Sequence, residues 1–498
     1  MSGRTLNRWL VLLAVMMAFL PIVLDLTILH VAVPSLSMAL QATGTEVLWI
    51  IDIYPLLMAS LLIPMGTLAD RVGHRRMLLL GLGIFCTGSV LAAFAPSAAA
   101  LIGARAFMAF GAAMVMPCTL AIVRQTFNDE GERAMALGIW GAVASAGAAL
   151  GPLAGGALLE HFWWGSVFLI NVPVMLVVMP LVRAYIPMRL LSAGSNGKWP
   201  IGQALILIFG IMATVYGLKS GFRTGSSLLM TILFLAFGIL MMCWFARKQL
   251  RSPDPMLDLS LFSVPAISAG VVMSLMVMGA LAGVELMLAQ ELQFVLGQTP
   301  LEAGIFMLPL MIGSAVGGPL GGMILQATGL RRVASFSLLV SAVSLLGLAL
   351  ADLGSNGVRV IFILATLGLA LSVGMTASSV AIMSNTPVEK AGSAGALEAT
   401  SYDLGSGLGI TVFGIILTSS YERSIRLPGD LPLNIAETAG RSIGETMMAA
   451  KALGGHQAQQ LVLAGQQAFS SSHSLVLLAA CALIGLVSIV VWKLLRSQ

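Results

Sequence analysis

Residues 66–76 read GTLADRVGHRR, and residues 322–332 read GMILQATGLRR. Gly66 and Gly73 of the first stretch correspond to Gly322 and Gly329 of the second, and the pair Arg75–Arg76 corresponds to Arg331–Arg332. The two copies stand 256 residues apart. Each directly follows an apolar window, the second and the tenth along the chain, so the offset is eight windows. A bare duplication of six-span halves would give an offset of six. Two extra spans, near residues 200–245, are therefore expected as a hairpin inserted between the halves. Two parallel six-helix repeats form a transporter architecture, with the substrate site at their interface near the bilayer midplane.

Composition requires the same solvent. Of 498 residues, 58% are hydrophobic and 9% charged, where a soluble chain carries roughly 25% charged residues. That excludes a soluble enzyme, a secreted domain and a disordered regulator. Fourteen apolar windows run from residues 9–33 to 474–495, each near the length that crosses a bilayer as a helix. The first is too long for a signal peptide and holds Asp25, so it reads as an uncleaved span. The expected fold is all-α, with fourteen transmembrane helices: an N-terminal six-helix bundle (1–190), the inserted hairpin with its linkers (191–255) and a C-terminal six-helix bundle (256–498). Of the 26 Lys and Arg residues, eighteen fall on one side of this topology, seven on the other, and Arg105 within a span. The bias places both termini in the cytoplasm. The net charge of +5 is spread over short loops and forms no groove for nucleic acid. Cys86, Cys118, Cys243 and Cys481 lie in apolar stretches without metal-ligand spacing. No metal and no cofactor are expected.

The residues from Gly66 to Arg76 resemble the loop signature of the major facilitator superfamily. The stretch from Leu24 through Asp25 and Thr27 to Pro34 resembles the first-span motif of its fourteen-span drug:proton antiporter branch. Arg105 with Gly111 resembles the fourth-span arginine motif. Gly147, Gly151, Pro152, Gly155 and Gly156 are similar to the fifth-span antiporter motif, and Phe168 to Pro173, with Asn171, fits the same branch. The chain resembles the methyl viologen and quaternary ammonium efflux pumps of Gram-negative bacteria. The resemblance implies a multi-pass transporter of the bacterial inner membrane, exchanging protons for small organic cations through Asp25 and Arg105. The chain is expected to act as a monomer.

The embedded charges point the same way without the resemblance. Asp25, Asp52, Glu285, Glu398 and Asp403 sit inside apolar windows, with Arg105 as their one embedded cation. Intramembrane charges are costly and are functional candidates by default. An acidic cavity attracts cations, and burial favours the protonated form of a carboxylate, so a proton/organic-cation exchanger is expected. Asp25 and Arg105 are assigned to proton coupling, with Asp25 partnered by Arg105. Asp52 lies nearer the outer end and fits either the same layer or the external vestibule. Asp403 is about 18 Å deep in its span, and Glu398, five residues earlier, points about 140° away. Glu398 is the expected first contact for a cation from the cytosol; Asp403 is a proton or substrate site. Glu285 reads equally as an interfacial residue. Glu291 and Glu302 read as solvated loop carboxylates.

Tyr54, Trp140 and Phe168 offer aromatic faces to flat cations; Trp49, Trp163 and Trp164, at span ends, read first as interfacial anchors. Asp70, Arg71, Arg75 and Arg76 form a charge cluster expected to latch the cytoplasmic side, with Asp70 at a neighbouring helix end or on Arg133. The glycines from Gly147 to Gly156 and Pro152 read as a close-packing, bendable helix face, and Gly405, Gly407 and Gly409 as its counterpart. Residues 418–473 read as one long outer loop carrying short helices at Met447–Leu453 and Gln459–Ala468, expected to cap the outer mouth. The central hairpin shows no embedded acid; Lys219 and Arg223 mark its outer turn. His30, His74, His161, His456 and His473 look scattered, which disfavours an integral-membrane enzyme. The remaining rival is a proton-coupled transporter of one metabolite or siderophore.

Overall fold

The computed structural model describes residues 7–127, 129–187, 201–221, 227–252, 255–354, 357–387, 391–428 and 431–495. Arg4, Arg189, Lys198, Arg223, Lys390, Asp430 and Arg496 lie outside them. Among the described residues there are helices and turns and no strand. The first half holds α1 (Arg8–Leu40), α2 (Gly44–Val72), α3 (His74–Ala93), α4 (Ala98–Thr126), α5 (Glu130–His161), α6 (Ser166–Leu169) and α7 (Asn171–Tyr185). The inserted hairpin is α8 (Ile201–Gly221) and α9 (Leu228–Arg251). The second half holds α10 (Pro265–Gln290), α11 (Pro300–Phe306), α12 (Leu308–Thr328), α13 (Leu330–Ala349), α14 (Gly357–Met383), α15 (Ala391–Ser424), α16 (Leu433–Ala439), α17 (Ile443–Leu453) and α18 (Gly455–Leu494). Thirteen helices among the described residues are long and apolar enough to cross a membrane. The 32-residue α5 is not among those thirteen and occupies the place of the expected fifth span.

The repeated motif builds the same corner twice. Gly73 closes α2 at φ +98° and Gly329 closes α12 at φ +84°. Side-chain-bearing residues rarely adopt that conformation, and it lets α3 and α13 start at the next residue. In both corners the first arginine of the pair then seals a distant helix end. Arg75 donates to the carbonyl of Arg183 in the last turn of α7 (2.6 Å), and Arg331 to that of Trp492 in the last turn of α18 (3.0 Å). Arg76 and Arg332 are exposed.

Apolar packing forms two principal clusters. One gathers residues from α1 to α7, including Phe85, Met108 and Phe168; the other gathers α10 to α18, including Met273, Leu310 and Phe469. A smaller cluster joins Leu207, Ile211 and Val215 of α8 to Leu56 of α2 and to Leu404 and Leu408 of α15. The hairpin is thus no detached spacer: α8 covers the seam between the halves. Its partner α9 leaves Leu228, Leu229 and Leu240 exposed, an apolar surface that only lipid solvates cheaply.

The stretch 418–473 is not one long loop. Helix α15 continues to Ser424, and α18 starts at Gly455 and runs 40 residues. The expected helix at 459–468 is therefore part of α18, and among the described residues α16 and α17 stand between the long helices.

Candidate functional site

Arg105 lies inside the first half. Its Nη1 pairs with Asp25 Oδ2 at 2.5 Å and its Nε donates to the Ile50 carbonyl at 3.1 Å. The guanidinium stands 4.7 Å from the Tyr54 ring centre and 5.8 Å from that of Phe168. Asn171 Nδ2 reaches Asp25 Oδ1 at 3.5 Å and Ser89 Oγ at 3.3 Å. Asp25, Arg105, Tyr54 and Asn171 are all buried. A site between carboxylate, backbone and aromatic faces suits the planar donor fork of arginine better than the compact point charge of lysine. The expected Asp25–Arg105 pair is formed, and Asn171 adds a neutral donor to it.

Asp403 is also buried, and its Oδ2 has no hydrogen-bond partner among the described residues; nor has the Tyr54 hydroxyl. Asp25, Arg105 and Asp403 all act electrostatically on Tyr54. Tyr54 is therefore within electrostatic reach of the charge pair of one half and of the acid of the other. Glu398 is half-buried and accepts the Tyr402 hydroxyl at 2.7 Å, apart from Asp403. Trp140 stacks on Phe19 (4.5 Å between ring centres) and donates to Thr119 at 3.2 Å.

Asp52 is fully buried at a three-way junction rather than open to an external vestibule. Lys219 of α8 pairs with its Oδ2 at 2.6 Å, and Thr411 of α15 donates to the same oxygen at 2.7 Å. Lys219 is not a loop residue: it is 6% exposed and its ammonium lies 3.9 Å from the Trp49 ring centre. The inserted hairpin thus supplies a second embedded cation, and Trp49 faces a charge.

Glu285 is buried against His30 of the first half, with Nδ1 to Oε2 at 3.1 Å. Glu291 is not a solvated loop acid. It is buried in a π turn (Glu291–Val295), accepts the Ser470 hydroxyl at 2.5 Å and lies 3.4 Å from His473. Glu302 is exposed and caps α11 through Thr299. The histidines stay scattered in space, but His30, His74 and His473 each lie beside a carboxylate.

The glycine face of α5 packs against both halves. A Cβ at Gly147 would stand 3.1 Å from Val23, and one at Gly155 2.8 Å from Ile28, both of α1; one at Gly151 would overlap Thr27. A Cβ at Gly156 would stand 2.7 Å from Leu301 of α11, and one at Gly304 2.7 Å from the Pro152 carbonyl. Gly405 and Gly409 meet Leu275 and Gly279 of α10, as Gly147 and Gly151 meet α1, while Gly407 meets Leu56 of α2. These contacts between halves, with Asp52–Thr411 and His30–Glu285, run from mid-helix to the face holding the α1–α2 turn. Helix α17 docks there too: the buried Glu445 accepts the Gly44 amide at 3.1 Å, and Tyr421 and Thr446 hydroxyls meet at 2.5 Å. A cavity on this face is lined by Ser37, Leu48, Gln290 and Gly414, and by Ser442–Gly444 at the start of α17.

The opposite face carries the start of α1, the end of α18 and the basic corner. Asp70 lies 3.5 Å from His74. Arg8 pairs with Glu132, joining the starts of α1 and α5, a pair with no signal in sequence spacing. Gly66 faces Pro117 of α4. Arg71 and Arg133 both have partners.

The family model of the Major Facilitator Superfamily matches residues 15–410. The chain is 45% identical to the methyl viologen resistance protein SmvA of Salmonella typhimurium over 493 residues, 99% of each chain. It is 35% identical over 499 residues to the multidrug efflux pump LfrA of Mycolicibacterium smegmatis, 97% of each chain. A bacterial homologue of the human lysosomal transporter Spinster, solved inward-facing and unoccupied, matches 99% of both chains with a TM-score of 0.70 at 17% identity, a likeness of fold alone. Repeat, fold and relatives agree, and the chain belongs to the Major Facilitator Superfamily, a family of multi-pass membrane transporters rather than enzymes.

Proposed function

We propose that the protein is a proton-driven multidrug antiporter that exports lipophilic cations, such as quaternary ammonium biocides, methyl viologen and cationic dyes. It has fourteen spans, with the termini on the cytosolic face of a bacterial inner membrane, and it acts as a monomer. The observation that carries this reading is the buried Asp25–Arg105 pair of the first half, with a second buried acid, Asp403, in the other half, whose Oδ2 has no hydrogen-bond partner among the described residues. The printed names of SmvA and LfrA, a methyl viologen resistance protein and a multidrug efflux pump, support the substrate class.

In this reading a proton entering from outside exchanges with Arg105 at Asp25. The guanidinium, released from its carboxylate, changes its hold on Ile50 and Tyr54. A ligand drives a conformational change only through different affinities for the two states, and this exchange supplies the difference for the proton. Asp403, with Glu398 toward the cytosol, attracts the cation. The contacts between halves close the outer side in the state described here. The basic corner with Asp70, Arg71 and Arg133 latches the cytosolic side in the opposite state, and the glycine face of α5 is where the halves rock.

The test is transport in proteoliposomes under an imposed pH gradient. Movement of methyl viologen and ethidium, abolished by a protonophore, is expected. Failure to move any lipophilic cation, with transport of one metabolite, would support the specific-substrate rival instead.

A further inference from the structure

The Lys219 ammonium stands where an organic cation would be expected to stand. It is 2.6 Å from Asp52 Oδ2 and 3.9 Å from the Trp49 ring centre. Asp52 Oδ1 has no hydrogen-bond partner among the described residues. The ammonium is held by charge and by a ring face. Those are the two contacts that a quaternary ammonium or a pyridinium, having no N–H, can also make. Thr411 fixes the carboxylate from the other half at 2.7 Å, and Tyr216 lies beside Trp49 with 6.2 Å between ring centres. Tyr216 in turn packs on Phe234 at 4.6 Å, and both rings are partly exposed on the apolar outer surface of the hairpin. The site is therefore continuous with a lipid-facing aromatic wall.

We propose that Asp52, Trp49 and Thr411 form an organic-cation site whose resident occupant is Lys219, a tethered surrogate that the exported cation displaces. This rests on the lipophilic-cation reading above and extends it to the inserted hairpin. A buried acid stripped of its cation is strongly unfavourable. A lysine on α8 keeps Asp52 neutralised whenever substrate is absent, and the tether returns it once substrate leaves. The hairpin thus acts as a built-in competitor at the seam between the halves.

Methyl viologen binding to the purified full-length protein tests this. Lys219→Met should bind about tenfold more tightly than wild type, because the competitor is gone. Adding Trp49→Ala or Asp52→Asn to Lys219→Met should erase that gain. Lys219→Arg, which keeps a cation, should bind like wild type. Unchanged or weaker binding by a folded Lys219→Met, while wild type binds, would overturn the surrogate and leave the transport reading intact. No binding by wild type or any variant would overturn both. The unmodified protein gives a second readout should Lys219→Met fail to fold. Saturating methyl viologen, which has no amine of its own, should raise acetylation of Lys219 by an amine-reactive ester, read by mass spectrometry. Labelling that stays constant or falls would contradict displacement.

Discussion

Asp25 and Arg105, 80 residues apart in sequence, meet at 2.5 Å with both side chains buried. Removing one member of such a pair leaves an uncompensated charge in a place that water does not reach. The cost is about 3–5 kcal/mol, whereas removing both is far milder. Arg105→Ala should therefore lower thermal stability markedly, and Asp25→Asn in the same chain should restore part of it. Arg105→Ala should also move the pH profile of transport. A stable Arg105→Ala protein with an unchanged pH optimum would remove Arg105 from the coupling machinery.

The His30–Glu285 pair joins the two halves near the face that is closed here. If it helps to hold that face shut, His30→Phe and Glu285→Met should not be additive. A double-mutant cycle read by thermal unfolding should give a coupling of about 0.5–3 kcal/mol. Additive losses would mean that the two side chains are merely neighbours.

Gly73 and Gly329 share a backbone conformation in which a Cβ is strained. Alanine at either site should cost about 1–3 kcal/mol, and the two losses should be similar because the corners are equivalent. A loss at Gly73 alone, measured as the fall in unfolding midpoint, would show that the repeat is one of sequence and not of structure.

Glu445 docks α17 onto the Gly44 amide. Burial is the largest influence on its carboxyl and pushes its pKa above the ordinary 4.5; the Gly44 amide and Arg441 pull it down, while Glu422 and Glu46 push it up. A folded pKa above the unfolded one means that the folded protein holds its proton longer. The stabilisation is complete below pH 4.5 and is lost as pH rises through the raised value. Glu445→Gln, which keeps an acceptor without the charge, should be relatively more stable than wild type at neutral pH than at pH 4. An equal difference in unfolding temperature at both pH values would show that Glu445 is not titrating in this window.

What could be read from the sequence, and what could not, follows from how far each signal reaches. The two corners were legible because Gly and Arg–Arg stand out against apolar windows, and Asp25 and Arg105 because a membrane tolerates few charges. Their pairing was foreseeable since each lies at similar depth on its helix. Lys219 was not, because it sits two residues from the end of α8, where a lysine reads as interfacial. Only the packing of α8 across α2 and α15 turns it inward. His30 and Glu285 are 255 residues apart, and no local pattern links them. The stretch Ser470–His473 reads as a polar linker, yet α18 runs through it because Glu291 and Ser424 bind its side chains. Polar residues inside an apolar protein mark loops only when nothing buried needs them.

The most direct measurement compares wild type with Asp25→Asn in proteoliposomes bearing a pH gradient, following methyl viologen movement and proton flux together. Wild type should couple the two, and adding substrate should drive protons in the opposite direction. Asp25→Asn should still bind methyl viologen but lose gradient-driven movement. Gradient-driven transport at the wild-type rate in Asp25→Asn would contradict proton coupling at the Asp25–Arg105 pair and shift it to Asp403 or Glu398.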